Sequence, residues 1–215
     1  MKNSNLDVAA ARADLLAAIL PNVPFDGWSE PAFKAAVEAS GIELALARLV
    51  CPRGAVDLAV AYHRAGDAAM LARLAEIDLS AMRIRDRVAM ALRLRLEVAD
   101  PELVRRGAAV FALPQNAATG AALIWATADA IWRALGDSSD DFNWYSKRMS
   151  LSAVYSACAL FWMGDTSERQ RDTEEFIARR VEDVMTFERF KGRIVDLPGV
   201  KDLLSGIRAP GAVRP

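Results

Sequence analysis

The chain has 215 residues, a formal net charge of −1 and 53% hydrophobic residues. This length allows one large helical domain or a small domain joined to a larger one, and the charge excludes the overall basic excess typical of proteins that live on nucleic acid. Because no apolar stretch approaches the roughly 20 residues that span a bilayer and no secretory signal is evident, we expect a cytoplasmic protein that is soluble or at most peripheral to a membrane.

Helical periodicity predominates and strict apolar and polar alternation is absent, so the fold is predicted to be all-α. The first predicted helix covers about residues 6–20 and is ended by Pro21, Pro24 and Gly27. Ser29 is placed to cap a second helix over about 32–39, and after a tight turn a third follows at about 43–49. These three helices predict a helix-turn-helix unit at the N-terminus.

The third predicted helix takes the place of a recognition helix that enters the DNA major groove. It offers one basic residue, Arg48, beside the carboxylate of Glu43 and otherwise apolar side chains. Duplex affinity rests on several lysine or arginine contacts to phosphate. The sequence therefore favours a structural or dimer-orienting role for this unit over DNA binding.

Longer predicted helices follow, separated by sequences typical of helix ends and caps. They cover about residues 54–77, 82–98, 101–112, 115–135, 141–163 and 168–190. The first of them has a potential weak point at Gly66. Together these helices are expected to form the main body of the fold.

A short amphipathic helix is predicted at about residues 198–208. Its apolar side carries Val200, Leu203, Leu204 and Ile207. We therefore expect three parts in the chain: a helix-turn-helix region at 1–52, a helical domain at 53–192, and a tethered segment at 193–215.

Side chains that carry most enzyme chemistry are missing from the sequence. His63 is the only histidine, which excludes the paired Glu-x-x-His ligands of a helical di-iron centre and leaves a Ser/His/Asp set without its usual motif. The two cysteines, Cys51 and Cys158, suit packed, reduced thiols better than a disulfide or a metal site. We expect no catalytic residue, no metal and no cofactor.

Small side chains begin the predicted helix at 115–135, from Ala117 onward. They allow either close packing against a neighbouring helix or an apolar cavity that accepts a hydrocarbon tail. Trp125 and Trp132 fall on a second face with Asp129 and suit a contact with another helix or subunit. The sequence leaves the choice between close packing and a cavity open.

The predicted helix at 141–163 separates two faces. The core side is predicted to carry Leu151, Val154, Cys158 and Phe161. The other side is predicted to be exposed and to carry Asp141, Trp144, Tyr145, Arg148 and Ser152. This mixture is typical of a protein-binding hot spot, although aromatic packing under a neighbouring helix explains the same pattern. If the face is exposed, Trp144→Lys should leave folding nearly intact and weaken partner binding.

The run from Asp141 to Arg148 also carries a family resemblance. Together with Asp165-Thr166-Ser167 and the segment Arg179-Arg180-Val181-Glu182-Asp183, it resembles the lipid-binding accessory proteins of ubiquinone (coenzyme Q) biosynthesis, the ninth-numbered Coq family, which has a TetR-like fold. The resemblance is densest from about 137 to 190 and looser over the helix-turn-helix unit.

The resemblance implies a homodimer without DNA binding or catalysis. Such a protein holds an isoprenoid lipid and presents quinone precursors to the di-iron hydroxylase that acts on demethoxyubiquinone. It implies a contact surface for the hydroxylase at Asp141, Trp144 and Tyr145, to which the shared face adds Arg148. It also implies a position peripheral to the inner membrane, contacted through the C-terminal amphipathic helix, although a helix that packs on the core fits that segment equally well.

A polyprenyl tail leaves a bilayer only if the protein offers an equivalent apolar site. The predicted helices at 82–98, 115–135 and 141–163 are expected to enclose such a site. The residues expected to line it are Ile124, Thr127, Ile131, Leu151, Val154 and Phe161. The alternative function is a ligand-responsive transcriptional repressor of the TetR type, the usual occupation of this fold.

Overall fold

The computed structural model describes residues 7–195 and 207–210, and the side chains of all of these except 187–195. The described part contains helices and no strand. The helices are α1 (Val8–Ile19), α2 (Val23–Asp26), α3 (Glu30–Ser40), α4 (Leu44–Val50), α5 (Ala55–Ala75), α6 (Ile84–Glu97), α7 (Pro101–Phe111), α8 (Pro114–Ala134), α9 (Phe142–Trp162) and α10 (Arg171–Val195). The predicted all-α fold is confirmed.

Local capping explains where several helices begin and end. The hydroxyl of Ser29 accepts a hydrogen bond from the backbone N–H of Ala32 at 3.3 Å, which confirms the predicted cap of α3. Gly41 ends that helix in the left-handed conformation, with φ of 68°, and so permits the tight turn into α4. The predicted helix-turn-helix is thus present as α1, α3 and α4.

Two short elements were not predicted. Pro24, interpreted from the sequence as part of a helix stop, lies in the first turn of α2, where a proline has no intrahelical N–H to lose. A 3-10 helix, Glu168–Gln170, precedes α10. Conversely, α5 continues through Gly66, the predicted weak point.

The chain divides into two compact units, Met1–Ala68 with Ala99–Leu123, and Ala69–Val98 with Ile124–Pro215. The expected boundaries at residues 52 and 192 stay predictions. In the first unit, α1, α3, α4 and the start of α5 enclose a core that includes Leu15, Ile19, Phe33 and Leu58. The indole N–H of Trp28 donates to the carbonyl of Leu103 at 3.2 Å and ties α7 to this core.

In the second unit, α6, α9 and α10 pack against one another. The core residues that α9 contributes are Leu151, Val154, Tyr155, Cys158 and Trp162. Ile177 and Val181 of α10 are 3% exposed and belong to the same buried layer. Cys51 and Cys158 are buried free thiols, as predicted.

The predicted C-terminal helix lies largely outside the described residues, including Val200, Leu203 and Leu204. Ile207 and the residue after it are described and are not helical, so the end of that prediction is wrong. Within the described ranges, no helix combines the length and apolar character needed to cross a membrane.

Candidate functional site

The start of α9 is organised by its capping residue. One carboxylate oxygen of Asp141 accepts from the backbone N–H of Asn143 at 2.8 Å, and the other accepts from the Asn143 side-chain amide at 3.0 Å. These bonds satisfy a helix end that otherwise lacks acceptors. The cap therefore fixes where Trp144 and Tyr145 leave the first turn.

Three aromatic rings, which we call the aromatic cluster, meet at this helix start: Trp125, Trp144 and Tyr145. The Trp144 ring centroid lies 5.9 Å from that of Trp125 and 4.8 Å from that of Tyr145. All three residues are half-buried, so the predicted exposed face is only partly exposed. Trp125 was missed as a member of this site because its spacing from Trp132 indicated a separate face of its own helix.

Arg148 is the clearest correction to the predicted partner-binding face. Its side chain is 2% exposed, so it cannot touch a partner as the chain stands. The guanidinium Nε lies 2.6 Å from Asp129 Oδ1, and Nη1 donates to Asp137 Oδ2 and to the Trp144 carbonyl, each at 3.0 Å. Helical spacing placed Arg148 on the aromatic face, but it could not reveal two carboxylates that allow a guanidinium to be buried.

The buried guanidinium supports the aromatic cluster from behind. The central carbon of the Arg148 guanidinium lies 4.1 Å from the Trp144 ring centroid, within the range of a cation–π contact. Asp129 and Asp137 hold the guanidinium in place, and it in turn restricts the orientation of the indole. Arg148 therefore serves as a positioning residue for Trp144.

Asp137 is held as a carboxylate by cations on α9. Burial raises the pKa of this group, but hydrogen bonds from Lys147, Ser139 and Arg148 outweigh that effect and hold the pKa at about 2. Lys147 Nζ lies 2.7 Å from both Asp137 Oδ1 and Ser139 Oγ. Asp137 is therefore charged at neutral pH and accepts from two cations at once.

Replacing Asp137 with asparagine is expected to lower stability in a pH-dependent way. The pKa falls from its ordinary 3.8 to about 2 on folding, so the charged form stabilises the fold fully above about pH 5 and loses this contribution as pH drops toward 2. Urea unfolding of both proteins across this range should show a difference that shrinks in acid. The exposed Asp14 of α1, changed to asparagine, is the control, and a difference that persists unchanged to pH 2 would refute the assignment.

The six predicted lipid-lining residues occupy different environments. Thr127, Ile131, Leu151 and Val154 are buried in the core, and Ile124 is half-buried. Phe161, predicted on the core side of α9, is 37% exposed and stacks on Phe176 with centroids 4.4 Å apart. The prediction that Phe161 lies on the core side of α9 is wrong because Trp162, three full turns after Leu151, continues the buried stripe instead, and its lipid-lining role stays a prediction.

A groove of about 240 Å³ lies between α6 and α10. It is lined by Asp86, Ala89, Met90, Arg93, Glu174 and Ile177. None of the six predicted lining residues reaches it, and its volume falls below the roughly 300 Å³ at which small-molecule pockets begin. The predicted lining of a lipid site therefore stays a prediction.

Helix α4, which occupies the position of a DNA recognition helix, carries one cation that is already paired, Arg48, and exposed apolar side chains. Arg48 forms an ion pair with Glu30, and its guanidinium lies 4.6 Å from the ring centroid of Phe33. Leu44 is 47% exposed and Leu49 is 70% exposed. This surface presents hydrocarbon where a DNA-reading helix presents polar and basic groups.

Comparison with known proteins identifies relatives over most of the chain. A protein from Dictyostelium discoideum, named as a probable ubiquinone biosynthesis protein coq9, mitochondrial, is 29% identical over 81% of this chain and 59% of its own length. The human ubiquinone biosynthesis protein COQ9, mitochondrial, is 29% identical over 80% of this chain and 56% of its own length. The chain thus spans less than two thirds of the curated relatives it matches.

A solved structure shares the fold. The TetR transcriptional regulator from Nitrosomonas europaea superposes with a TM-score of 0.66 at 16% identity, covering 80% of this chain and 97% of its own. At that identity the likeness shows the fold alone, and it confirms the predicted TetR-like build.

The family model for COQ9 matches residues 117–188. This stretch contains Asp129, Asp137 and all of α9, so the aromatic cluster and its buried ion pairs lie inside the matched region. Together with the named relatives, the match confirms the resemblance to the COQ9 family that the sequence indicated.

Proposed function

We propose that this chain acts in ubiquinone biosynthesis as a non-catalytic, lipid-binding accessory factor that presents quinone precursors to the di-iron demethoxyubiquinone hydroxylase. The observation that carries the proposal is the aromatic cluster on its capped helix start, inside the region that matches the COQ9 family. The names of the curated relatives supply the pathway.

The geometry of the cluster suits protein recognition. Interface hot spots are rigid aromatic and arginine side chains that lose little conformational freedom on binding. Trp144 is held by ring contacts on two sides and by the guanidinium of Arg148. Because these contacts already order the ring in the free chain, binding a partner requires little further loss of side-chain freedom. The rings are half-buried, so part of their surface remains available to a partner.

A lipid-binding role requires an apolar site that opens. Thr127 and Ile131 are fully buried, so a hydrocarbon tail that reaches them must separate helices that now pack together. Each Å² of apolar tail surface that is removed from water contributes about 25 cal/mol, and this burial supplies the driving force for lipid binding. We propose a homodimer as the working form, with peripheral membrane contact through the C-terminal segment and with no cofactor of its own.

A transcriptional repressor is the alternative function. The likeness to a TetR regulator supports its fold only, and the paired state of Arg48 argues against a recognition role for α4. A gel-shift assay on the DNA upstream of its gene tests this alternative. Retardation that weakens with added salt would favour the repressor over the accessory factor.

A strain that lacks this gene is expected to lose ubiquinone and to accumulate the demethoxy precursor, because the hydroxylase no longer receives its substrate. Liquid chromatography with mass spectrometry of extracted quinones measures both. The wild-type gene supplied on a plasmid should restore the profile. An unchanged profile in the deletion strain would overturn the proposed function, and extraction of the purified protein for bound lipid tests its lipid-binding part separately.

A further inference from the structure

The described C-terminal segment, residues 207–210, lies against the start of α9. The backbone N–H of Ala209 donates to the carbonyl of Asp140 at 2.8 Å. The Tyr145 hydroxyl donates to the carbonyl of Arg208 at 3.1 Å. The peptide group that joins Arg208 to Ala209 is therefore hydrogen-bonded at both its carbonyl and its N–H to the start of α9.

Both contacts use the backbone of the segment and not its side chains. Ile207 is 36% exposed and Arg208 is exposed. The carbonyl of Arg208 and the N–H of Ala209 belong to one peptide group, so the two bonds hold a main-chain unit that carries no side-chain identity. Asp140 and Tyr145 provide that recognition, and they bracket Asp141 and Trp144 in the sequence.

We propose that the start of α9 is a docking position for the main chain of a peptide segment, that residues 208 and 209 occupy it in the isolated chain, and that the hydroxylase partner must displace them. This inference rests on the proposed function for the identity of the partner. The segment acts as an internal competitor: it shields Tyr145 until a partner offers a peptide backbone of its own together with contacts to the aromatic cluster.

The segment competes only weakly with a partner, because few contacts hold it. The two hydrogen bonds contribute little net free energy, because each replaces a hydrogen bond to water. The measured affinity for the partner equals the intrinsic affinity multiplied by the fraction of molecules in which the segment is undocked. Releasing the segment should therefore tighten partner binding by about three- to tenfold.

The test is Ala209→Pro in the full chain. Proline removes the N–H that bonds to Asp140, and Pro210 already biases residue 209 toward the extended backbone that a proline accepts. Ala209→Ser is the matched control, since it keeps the N–H. Titration calorimetry with the purified hydroxylase should show tighter binding for the proline variant and wild-type affinity for the serine variant.

Equal affinities for all three proteins, or weaker binding by the proline variant, would overturn the inference. Amide hydrogen exchange at Ala209 provides a reading that needs no partner: protection beyond that of an unstructured peptide supports docking of the segment, and exchange at the unstructured rate overturns it. If none of the proteins binds the hydroxylase, the proposed function fails, while the exchange rate at Ala209 still decides whether the segment docks.

Discussion

Replacing Arg148 with methionine is expected to lower the free energy of unfolding by about 3–5 kcal/mol, the cost of leaving buried charges without their partner. The side chains of Arg148 and Asp137 are each 2% exposed, so water does not replace the lost guanidinium. Methionine retains much of the volume but offers no donor to Asp129, Asp137 or the Trp144 carbonyl. Chemical denaturation at neutral pH measures the loss.

Two further variants separate this account from a simple packing defect. Adding Asp137→Asn to Arg148→Met should cost less than the sum of the two single changes, because it removes a charge that the first change left unpaired. Arg133→Met is the matched control: Arg133 Nε lies 2.7 Å from Asp129, but its side chain is 71% exposed, so a loss below about 1 kcal/mol is expected. Equal losses at positions 133 and 148 would contradict the buried ion-pair account.

The fold was predictable because its signals are local. The Ser29 cap and the turn at Gly41 indicated the helix-turn-helix, and the long helices α5 to α9 ended within about two residues of their predicted limits, whereas α10 continues to Val195, past its predicted end at 190. The short helix α2 was missed because Pro24 and Gly27 are read as a stop, although a proline also fits a first helical turn. Four residues carry too little periodicity to decide between the two.

The candidate site was only partly predictable because it depends on contacts between elements. Helical spacing found Asp141, Trp144 and Tyr145, which the cap and the ring contacts do bring together. It could not find Trp125, which comes from α8, nor the carboxylates that bury Arg148. A charged residue on a predicted polar face is normally exposed, and only tertiary structure reveals the exception.

Replacing Trp144 with lysine is expected to weaken binding of the proposed hydroxylase partner by about thirtyfold or more, the usual loss at an aromatic hot spot. The sequence alone suggested that folding would be nearly unaffected. Because the ring is half-buried against Trp125, Tyr145 and the Arg148 guanidinium, we now expect stability to fall as well, by about 1–2 kcal/mol. Calorimetric titration and thermal unfolding measure the two effects independently.

Trp144→Phe and Phe25→Lys are the companion variants. Phenylalanine keeps a ring in the cluster and should retain a larger share of the affinity. Phe25 is 82% exposed on α2 and lies outside the region that matches the COQ9 family, so a lysine there should change neither stability nor binding. Full affinity in Trp144→Lys would remove the aromatic cluster from the interface.

The ion pair between Arg48 and Glu30 has a consequence for the salt dependence of any association with nucleic acid. A cation that meets a phosphate adds about −0.9 to the slope of log affinity against log salt, because the phosphate releases a condensed counterion. Arg48 is already neutralised by a carboxylate of its own chain and stacked on Phe33. Gly54 leaves room for this arrangement, since a Cβ there would lie 2.8 Å from Arg48 Nη1. Arg48 would therefore have to leave Glu30 before it could add to that slope, and as the only basic residue of α4 it could add no more than one such contribution.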